Sequence, residues 1–444
     1  MKSMLLVDIP TVCPLKVVRV QPPLWAAYLA KYLTADVEYL DGRIEQGAGW
    51  TDGGKWWTYG LPIPQLTETI IERQADVIGV HIGVSTEIGI AVQLVNALRQ
   101  KTNPTILLGG PGVATIPREF LPPELATTQI CYTVGIGKPL NIGLLSSDDC
   151  DLDILPDRDI WWPKYEETYQ EIGHPHSGPP LVRPTLQIKT SDGCGGNCKF
   201  CATRSQKLVR RSLGSVKEEL RNLQARGIHG IQFEDDNLLG FSLSQAVEGV
   251  KVLDAIVEAG FEAIEFSNGL TVRGMLNQPF QEWVRRALER GVQIKVLLPF
   301  ESASDEMLIA TQKPHRRADC DRLLEQLVPL ISAGLHLECF LQVAFVIAEG
   351  SSVRLEEEAT INQTIEWAKV LSGMGIKTNV WSNSSIPGTP QFGPWRTRFP
   401  NAPWESLLFS LPSLFYEDEK WREELIARMM VVNTSDRTAA FKPS

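Results

Sequence analysis

Short apolar segments alternate with helical segments in two separate regions of this 444-residue chain, and this alternation restricts its fold more than any other feature. Residues 76–82 form a nearly continuous apolar run, which is typical of a parallel strand buried on both faces. Residues 87–100 follow with apolar side chains at helical spacing. Because parallel strands need crossover connections, usually helices, the alternation predicts an α/β fold.

The first alternating region ends near residue 148, and we interpret residues 1–148 as a doubly wound, Rossmann-like domain. Two of its predicted strands run directly into glycines, at Gly109-Gly110 and at Gly135. Glycines at the carboxyl ends of strands mark the edge at which such sheets bind ligands. A glycine-rich turn alone identifies no ligand, because the pair at 109–110 could serve only to permit a tight turn.

The second alternating region covers residues 186–390 and contains six predicted strands with helices between them. This pattern predicts a partial (β/α)6 barrel, in which the chemistry gathers at the carboxyl ends of the strands. The proline-rich residues 149–185 are predicted to form a linker. Residues 391–444 are predicted to form a short C-terminal helical tail.

Composition narrows the classes of function. Apolar residues make up 43% and charged residues 22% of the chain, which excludes wholesale disorder, and the net charge of −10 argues against a nucleic-acid partner. No apolar run approaches the ~20 residues of a membrane span, and the first eight residues are interpreted as a strand, not as a signal peptide. The eight cysteines are too sparse for a disulfide scaffold, so we expect a reducing, cytoplasmic setting.

Three of the eight cysteines lie within eight residues, in the run Cys194-Gly-Gly-Asn-Cys198-Lys-Phe-Cys201. The glycines around them let the loop turn tightly. Three thiolates can hold three irons of a [4Fe–4S] cluster and leave the fourth iron open, unlike the four-cysteine ligation of electron carriers. A zinc site completed by His229 or another residue is the alternative.

The spacing of these cysteines, the aromatic Phe200 before the last of them and their place after the first barrel strand resemble the radical S-adenosylmethionine (SAM) enzymes. The resemblance covers residues 186–390 and implies that the three cysteines are cluster ligands and that SAM binds the open iron. It also implies SAM contacts at the ends of the second, third and fourth strands, from Glu234, Asp235, Ser267, Glu301 and Ser302. Asp235 could instead cap the next helix, and Ser267 could only form a turn.

A second resemblance lies in the first region, where residues 22–30, 75–80 and 109–115 and the linker residues 155–158 resemble cobalamin-binding domains fused to radical SAM barrels. It implies that cobalamin contacts Ser85, Thr86, Gly109, Gly110, Thr115 and Gly135.

Three departures from the cobalamin-binding pattern are visible. Trp25 stands where this family often has glycine, the Gly-Ile-Gly-Lys run at 135–138 replaces Gly-Glu-Gly-Glu, and no Asp-x-His-x-x-Gly run supplies a histidine to the cobalt. His81 ends a predicted strand and is interpreted as a structural histidine in preference to a cobalt ligand. The domain could also keep the fold without the cofactor.

These resemblances imply a cobalamin-dependent radical SAM methyltransferase that acts on an unactivated carbon of a small molecule or natural-product intermediate. Its cofactors would be a [4Fe–4S] cluster, SAM and cobalamin, and its partners a small-molecule substrate and an electron donor such as flavodoxin or ferredoxin. The first alternative is a radical SAM enzyme that catalyses a rearrangement, elimination or cyclisation without methyl transfer. The second is a non-catalytic Fe–S or zinc protein.

Overall fold

The computed structural model describes residues 3–13, 22–33, 35–54, 56–126, 128–130, 153–167, 180–268, 270–350 and 352–434. The chain divides into two compact units. The first contains Met1–Pro175, Ile386–Gly388 and Arg396–Leu408, and the second contains His176–Ser385, Thr389–Trp395 and Phe409–Ser444. Two segments beyond residue 385 therefore group with the first unit. The domain boundaries at residues 148, 185 and 390 stay predictions.

The first unit contains eight strands and six α-helices within the described residues. The strands are β1 (Ser3–Asp8), β2 (Thr11–Cys13), β3 (Asp36–Asp41), β4 (Gly49–Asp52), β5 (Trp57–Gly60), β6 (Val77–His81), β7 (Thr105–Gly109) and β8 (Gln129–Ile130). The helices are α1 (Leu24–Tyr32), α2 (Ile63–Glu72), α3 (Ile88–Lys101), α4 (Pro111–Ala114), α5 (Pro123–Ala126) and α6 (Trp162–Glu167). Short 3₁₀ turns lie at Ser85–Glu87, Arg118–Phe120 and Arg158–Ile160.

Five strands of this unit form a parallel sheet in the order β3-β1-β6-β7-β8. Numbered within the sheet, this is the order 2-1-3-4-5 of flavodoxin-like doubly wound folds, so the predicted fold class is confirmed. The connections change direction between β1 and β6, and ligands bind such sheets beside that point, at the carboxyl ends of the strands. The small antiparallel sheet β2-β5-β4 was not predicted from the sequence. Gly135 lies outside the described residues.

The second unit contains ten strands within the described residues: β9 (Thr185–Ile188), β10 (Ser191–Asp192), β11 (Val209–Arg210), β12 (Gly230–Phe233), β13 (Ala263–Phe266), β14 (Gln293–Glu301), β15 (Leu335–Val343), β16 (Val346–Glu349), β17 (Ser352–Leu355) and β18 (Lys377–Ser382). Its helices are α7 (Leu213–Ala225), α8 (Leu243–Glu258), α9 (Val272–Met275), α10 (Gln278–Glu289), α11 (Asp305–Ala310), α12 (Arg317–Leu327), α13 (Glu358–Gly373) and α15 (Glu419–Thr434), and α14 (Phe392–Arg398) begins in this unit. A further 3₁₀ turn of this unit lies at Val328–Ala333, and the 3₁₀ turn at Trp404–Leu407 belongs to the first unit.

Six strands of the second unit pair in parallel in the order β9-β12-β13-β14-β15-β18, with helices between them. This sequential order is that of the predicted partial barrel. Local signals set the helix starts: at α8 the Ser242 hydroxyl accepts the backbone N–H of Gln245, whose side chain accepts the N–H of Ser242. Across the described part of both units, no helix combines the length and apolar character needed to cross a bilayer.

The two faces of the barrel strands can be told apart by their contacts. The Phe266 ring of β13 lies edge-on to Phe280 and Trp283 of α10, and it stacks on Phe233 of β12 at 5.2 Å between ring centroids. These two residues therefore face the helices. Because successive side chains of a strand point to opposite faces, Glu234 and Ser267, which follow them directly, are directed toward the inner side of the sheet.

Candidate functional site

The three clustered cysteines lie in the loop between β10 and β11, beyond the carboxyl end of the first barrel strand. All three are free thiols and only partly buried. Gly193 has φ of +74° and Gly195 has φ of +75°, a conformation that side-chain-bearing residues rarely adopt. A Cβ on Gly193 would also overlap the carbonyl oxygen of Lys207, so this turn requires glycine for two separate reasons.

The end of the second barrel strand holds the start of this loop through three successive side chains. Asp235 accepts hydrogen bonds from the backbone N–H and hydroxyl of Thr190 and from the Ser191 hydroxyl. Asp236 accepts the N–H of Gly193 at 3.2 Å, and Asn237 donates to the carbonyl oxygen of Cys194 at 3.1 Å. The loop is thereby fixed to β12 immediately before and at its first cysteine.

The surroundings of Cys194 and Cys198 favour the protonated thiol over the thiolate, which is the form that binds iron. Burial raises the pKa of Cys198 to about 11, although the nearby Lys313 ammonium acts in the opposite direction. Burial likewise raises the pKa of Cys194. The charges of the neighbouring cysteines also raise the pKa of both thiols. Iron binding must therefore displace a proton from Cys194 and from Cys198.

The zinc alternative with His229 is wrong for this fold. His229 precedes β12, at the amino end of the barrel strands, where it is exposed and pairs with Glu262 at 2.9 Å. Within the described ranges, no three His, Cys, Asp or Glu side chains converge closely enough for one metal ion. A [4Fe–4S] cluster needs no such convergence, because each thiolate binds a different iron, and the cysteine loop fits that group.

The strand-end residues predicted to contact SAM divide into two groups. Ser267 is 1% exposed, and its hydroxyl has no hydrogen-bond partner within the described residues, which suits a ligand-facing group. Glu234, on the same inner side, is half-buried. Asp235 is 2% exposed, and its carboxylate accepts hydrogen bonds from Thr190 and Ser191. It therefore holds the start of the cysteine loop in place. Ser302 is buried against Thr364 of α13, at 3.2 Å between hydroxyl oxygens.

Glu301 ends the fourth barrel strand at a bulge, with φ of +66°. Its carboxylate accepts hydrogen bonds from Lys313 at 2.7 Å and from the side chain of Gln342 at 2.7 Å. Asn383 donates in turn to the Gln342 side-chain oxygen at 2.9 Å. Glu301 is thus the centre of a buried network that joins the ends of β14, β15 and β18.

His315 lies two residues beyond this network, with its Nε2 at 3.2 Å from the carbonyl oxygen of Phe300. Burial lowers its pKa to about 3. Below pH 6.5 the unfolded chain therefore binds a proton at His315, whereas the folded chain binds one only near pH 3. The free energy of unfolding consequently falls as the pH drops from 6.5 toward 3.

We expect the His315→Gln protein to lose less stability than the unchanged protein over that range, by up to about 1.4 kcal/mol for each pH unit. Apparent unfolding midpoints measured from pH 7 to pH 4 test this difference. The exposed His229→Gln is the matched control and should follow the unchanged protein. Equal pH dependence of the two variants would contradict the assignment.

The predicted cobalamin residues of the first unit gather at the carboxyl ends of β6 and β7. Ser85 and Thr86 are buried in the 3₁₀ turn after β6, and the Thr86 hydroxyl has no partner among the described side chains and backbone. Gly110 has φ of +101°, and a Cβ there would overlap the carbonyl oxygen of Ile82 and the His81 ring. The Thr115 hydroxyl donates to the Pro111 carbonyl oxygen. The buried Thr86 hydroxyl without a hydrogen-bond partner and the glycine turn at 109–110 suit a ligand that approaches the backbone closely.

A charged cluster at the same edge was not predicted from the sequence. Asp8, the last residue of β1, accepts hydrogen bonds from Tyr39 at 2.7 Å and from Arg43 at 3.1 Å, and it lies 2.7 Å from Nδ1 of His81. Arg43 and His81 hold the pKa of Asp8 well below its usual range despite burial. The His81 ring stacks on Trp25 at 4.3 Å. The signals in the sequence were an acid at the end of the first strand and His81 at the end of a later one.

Comparison with known proteins identifies the family to which the chain belongs. The B12 binding domain model matches residues 11–132, and the Radical SAM superfamily model matches residues 188–341. The chain belongs to the cobalamin-dependent radical SAM enzymes. The two matched domains imply cobalamin, a [4Fe–4S] cluster and SAM as its cofactors. No curated protein matches the chain.

Solved structures of this radical SAM family share the fold. The radical SAM methyltransferase TsrM from Kitasatospora setae, with cobalamin and a [4Fe–4S] cluster bound, aligns with a TM-score of 0.56 and 16% identity, over 88% of this chain and 76% of TsrM. The TsrM structure with tryptophan substrate and a SAM analogue aligns with a TM-score of 0.58 and 16% identity, over 90% and 76%. OxsB, a cobalamin-dependent SAM radical enzyme with aqua-cobalamin and SAM bound, aligns at 0.53 and 13%, over 97% of this chain and 56% of OxsB.

Proposed function

We propose that this radical SAM enzyme is a cobalamin-dependent methyltransferase that methylates an unactivated carbon of a small molecule. The observation that carries the proposal is the three-cysteine loop at the carboxyl edge of the barrel, in a chain whose other unit is a B12 binding domain. The sequence holds no further cysteine between Cys150 and Cys320 apart from these three, so one iron stays open for SAM. The description of TsrM as a methyltransferase supports methyl transfer.

Three groups of residues would bind the three cofactors. Cys194, Cys198 and Cys201 hold the cluster, and Glu234 and Ser267 accept hydrogen bonds from SAM on the inner side of the barrel. In the first unit, Ser85, Thr86, Gly109, Gly110 and Thr115 hold cobalamin at the carboxyl edge of the sheet. When bound, the reduced cluster supplies the electron that cleaves SAM, and cobalamin supplies the methyl group. The barrel side chains position the reacting groups and exclude water.

Product analysis tests the methyltransferase proposal. The protein is reconstituted anaerobically with iron, sulfide and cobalamin, reduced with dithionite and incubated with SAM. We expect four irons per chain and release of S-adenosylhomocysteine in amounts that match the bound cobalamin. Release of 5′-deoxyadenosine and methionine without S-adenosylhomocysteine would contradict methyl transfer. Absence of any SAM cleavage would favour a non-catalytic binding protein.

A radical reaction without methyl transfer, such as a rearrangement, elimination or cyclisation, is the second candidate. OxsB supports it, because this neighbour of similar TM-score is described as a radical enzyme and not as a methyltransferase. We also propose that the electron comes from a small protein such as flavodoxin or ferredoxin in a reducing, cytoplasmic setting, because a partly exposed cluster is sensitive to oxidation.

Gly110→Ala tests the cobalamin edge. An added methyl group would overlap the backbone at Ile82 and force a conformation with φ of +101° on alanine, so the turn must move. We expect cobalamin binding by the full-length protein to weaken at least tenfold, about 1.4 kcal/mol, as measured by absorbance after equilibrium dialysis. Gly54→Ala is the matched control, since Gly54 has φ of +83° but a Cβ there meets nothing within 4 Å. Equal affinity of the two variants would count against this site.

A further inference from the structure

A largely buried lysine lies beside the cysteine loop. Lys313 belongs to the short connection between α11 and α12, and its side chain is 12% exposed. Its ammonium donates to Glu301 at 2.7 Å. Nothing in the sequence pattern sets Lys313 apart from the other lysines of the chain. The proposed cluster, SAM and cobalamin contacts do not involve its charge.

The connection that carries Lys313 contacts the cysteine loop at three points. The backbone N–H of Lys199 donates to the Thr311 carbonyl oxygen at 2.9 Å. The Asn197 side chain donates to the Gln312 side-chain oxygen at 2.8 Å. The Lys313 ammonium lies 5.4 Å from the centroid of the Phe200 ring. The three contacted loop residues are interleaved with Cys198 and Cys201, so the ammonium is held beside two of the three ligands.

The Lys313 ammonium is held in place by its ion pair with Glu301. Burial opposes the charged form, but Glu301, at 2.7 Å, raises the pKa of Lys313. Phe200, whose ring centroid lies 5.4 Å from the ammonium, directly precedes Cys201 in the loop. A positive charge is therefore held beside the cysteine loop.

We propose that Lys313 is a positioning residue for the cluster whose fixed positive charge raises the cluster's reduction potential. Reduction adds one electron, taken from an external one-electron donor, and makes the cluster with its thiolates more negative by one charge. A cation held nearby in a poorly solvated site stabilises the reduced form more than the oxidised form. The inference rests on the proposed ligation by the three cysteines, but not on methyl transfer.

A redox titration of the cobalamin-loaded, iron–sulfur-reconstituted full chain tests the charge effect, with dithionite as reductant, redox mediators and EPR detection of the reduced cluster. At the potential where the unchanged protein is half reduced, we expect the ratio of reduced to oxidised cluster in Lys313→Met to fall at least tenfold, which corresponds to ~59 mV for one electron. Lys313→Arg should restore the ratio to within a few-fold. Lys207→Met removes an exposed lysine of the same loop and should change nothing.

A second variant distinguishes an effect of charge on the reduction potential from a structural disturbance of the cysteine loop. Glu301→Gln keeps a hydrogen-bond acceptor for Lys313 but removes the opposing negative charge, so we expect the reduced fraction to rise, in the direction opposite to Lys313→Met. A fall in both variants, or an unchanged ratio in Lys313→Met protein that retains four irons, would overturn the inference. If the unchanged protein assembles no four-iron cluster, the proposed function fails instead.

Discussion

The Cys198→Ala protein is expected to lose its [4Fe–4S] cluster and with it all cleavage of SAM. A methyl group cannot ligate iron, and the two remaining thiolates leave a second iron of the cluster without a protein ligand. The backbone around the loop should stay in place, because Asp236 and Asn237 hold its first part and Lys199 its last part through contacts that do not involve the Cys198 thiol. Iron and sulfide per chain and 5′-deoxyadenosine after dithionite reduction measure the effect.

Cys13→Ala provides the control for the cysteine prediction. Cys13 is also a free, partly buried thiol, but it ends β2 in the first unit. Its variant should retain four irons and unchanged SAM cleavage. The cluster assignment fails if protein lacking all three thiols, with Cys194, Cys198 and Cys201 replaced by alanine, still carries four irons and cleaves SAM.

Gly193→Ala is expected to have nearly as large an effect without removing any ligand. Alanine at φ of +74° costs about 1 kcal/mol, and its Cβ would also overlap the Lys207 carbonyl oxygen, so the turn before Cys194 must move. Displacement of this turn breaks the Gly193 hydrogen bond to Asp236 and shifts the first ligand. We expect less than half of the normal iron content after anaerobic reconstitution.

Gly227→Ala separates steric overlap from backbone strain. Gly227 has φ of +73°, but a Cβ there meets nothing within 4 Å. Both variants should therefore lose a similar ~1 kcal/mol of stability from strain, and only the change at 193 should lose iron. Equal iron content in the two proteins would show that overlap with the Lys207 carbonyl oxygen does not displace the turn.

The parts of the fold that depend on local pattern were predictable. The strand at 76–82 and the six barrel strands were visible because a buried parallel strand needs an apolar run and a crossover helix needs amphipathic spacing. The antiparallel strands β4 and β5 were not, since they are rich in Trp, Thr and Gly, and few of their residues are buried. Among the described strands, β4 pairs only with β5, and β5 also pairs with β2, which is distant in sequence.

Side-chain direction was harder to predict than strand position. Glu234 and Asp235 are adjacent acids at the end of one strand, and the sequence alone suggested both as SAM contacts. In the fold, the alternation along β12 directs Glu234 to the inner side, while Asp235 is buried against Thr190 and Ser191. Only the register of β9 against β12 decides which of the two acids is buried against the residues at 190–191.

The sequence by itself determined the two α/β regions and the three-cysteine loop, because spacing, periodicity and glycine content are properties of short segments. The tertiary structure alone decided which distant groups meet: Asp8 with Arg43 and His81 at the edge of the first sheet, and Lys313 with Glu301 beside the cysteine loop. These contacts join residues 12 to 73 positions apart. Their formation depends on strand order and on how connections cross the ends of the strands, which no local pattern encodes.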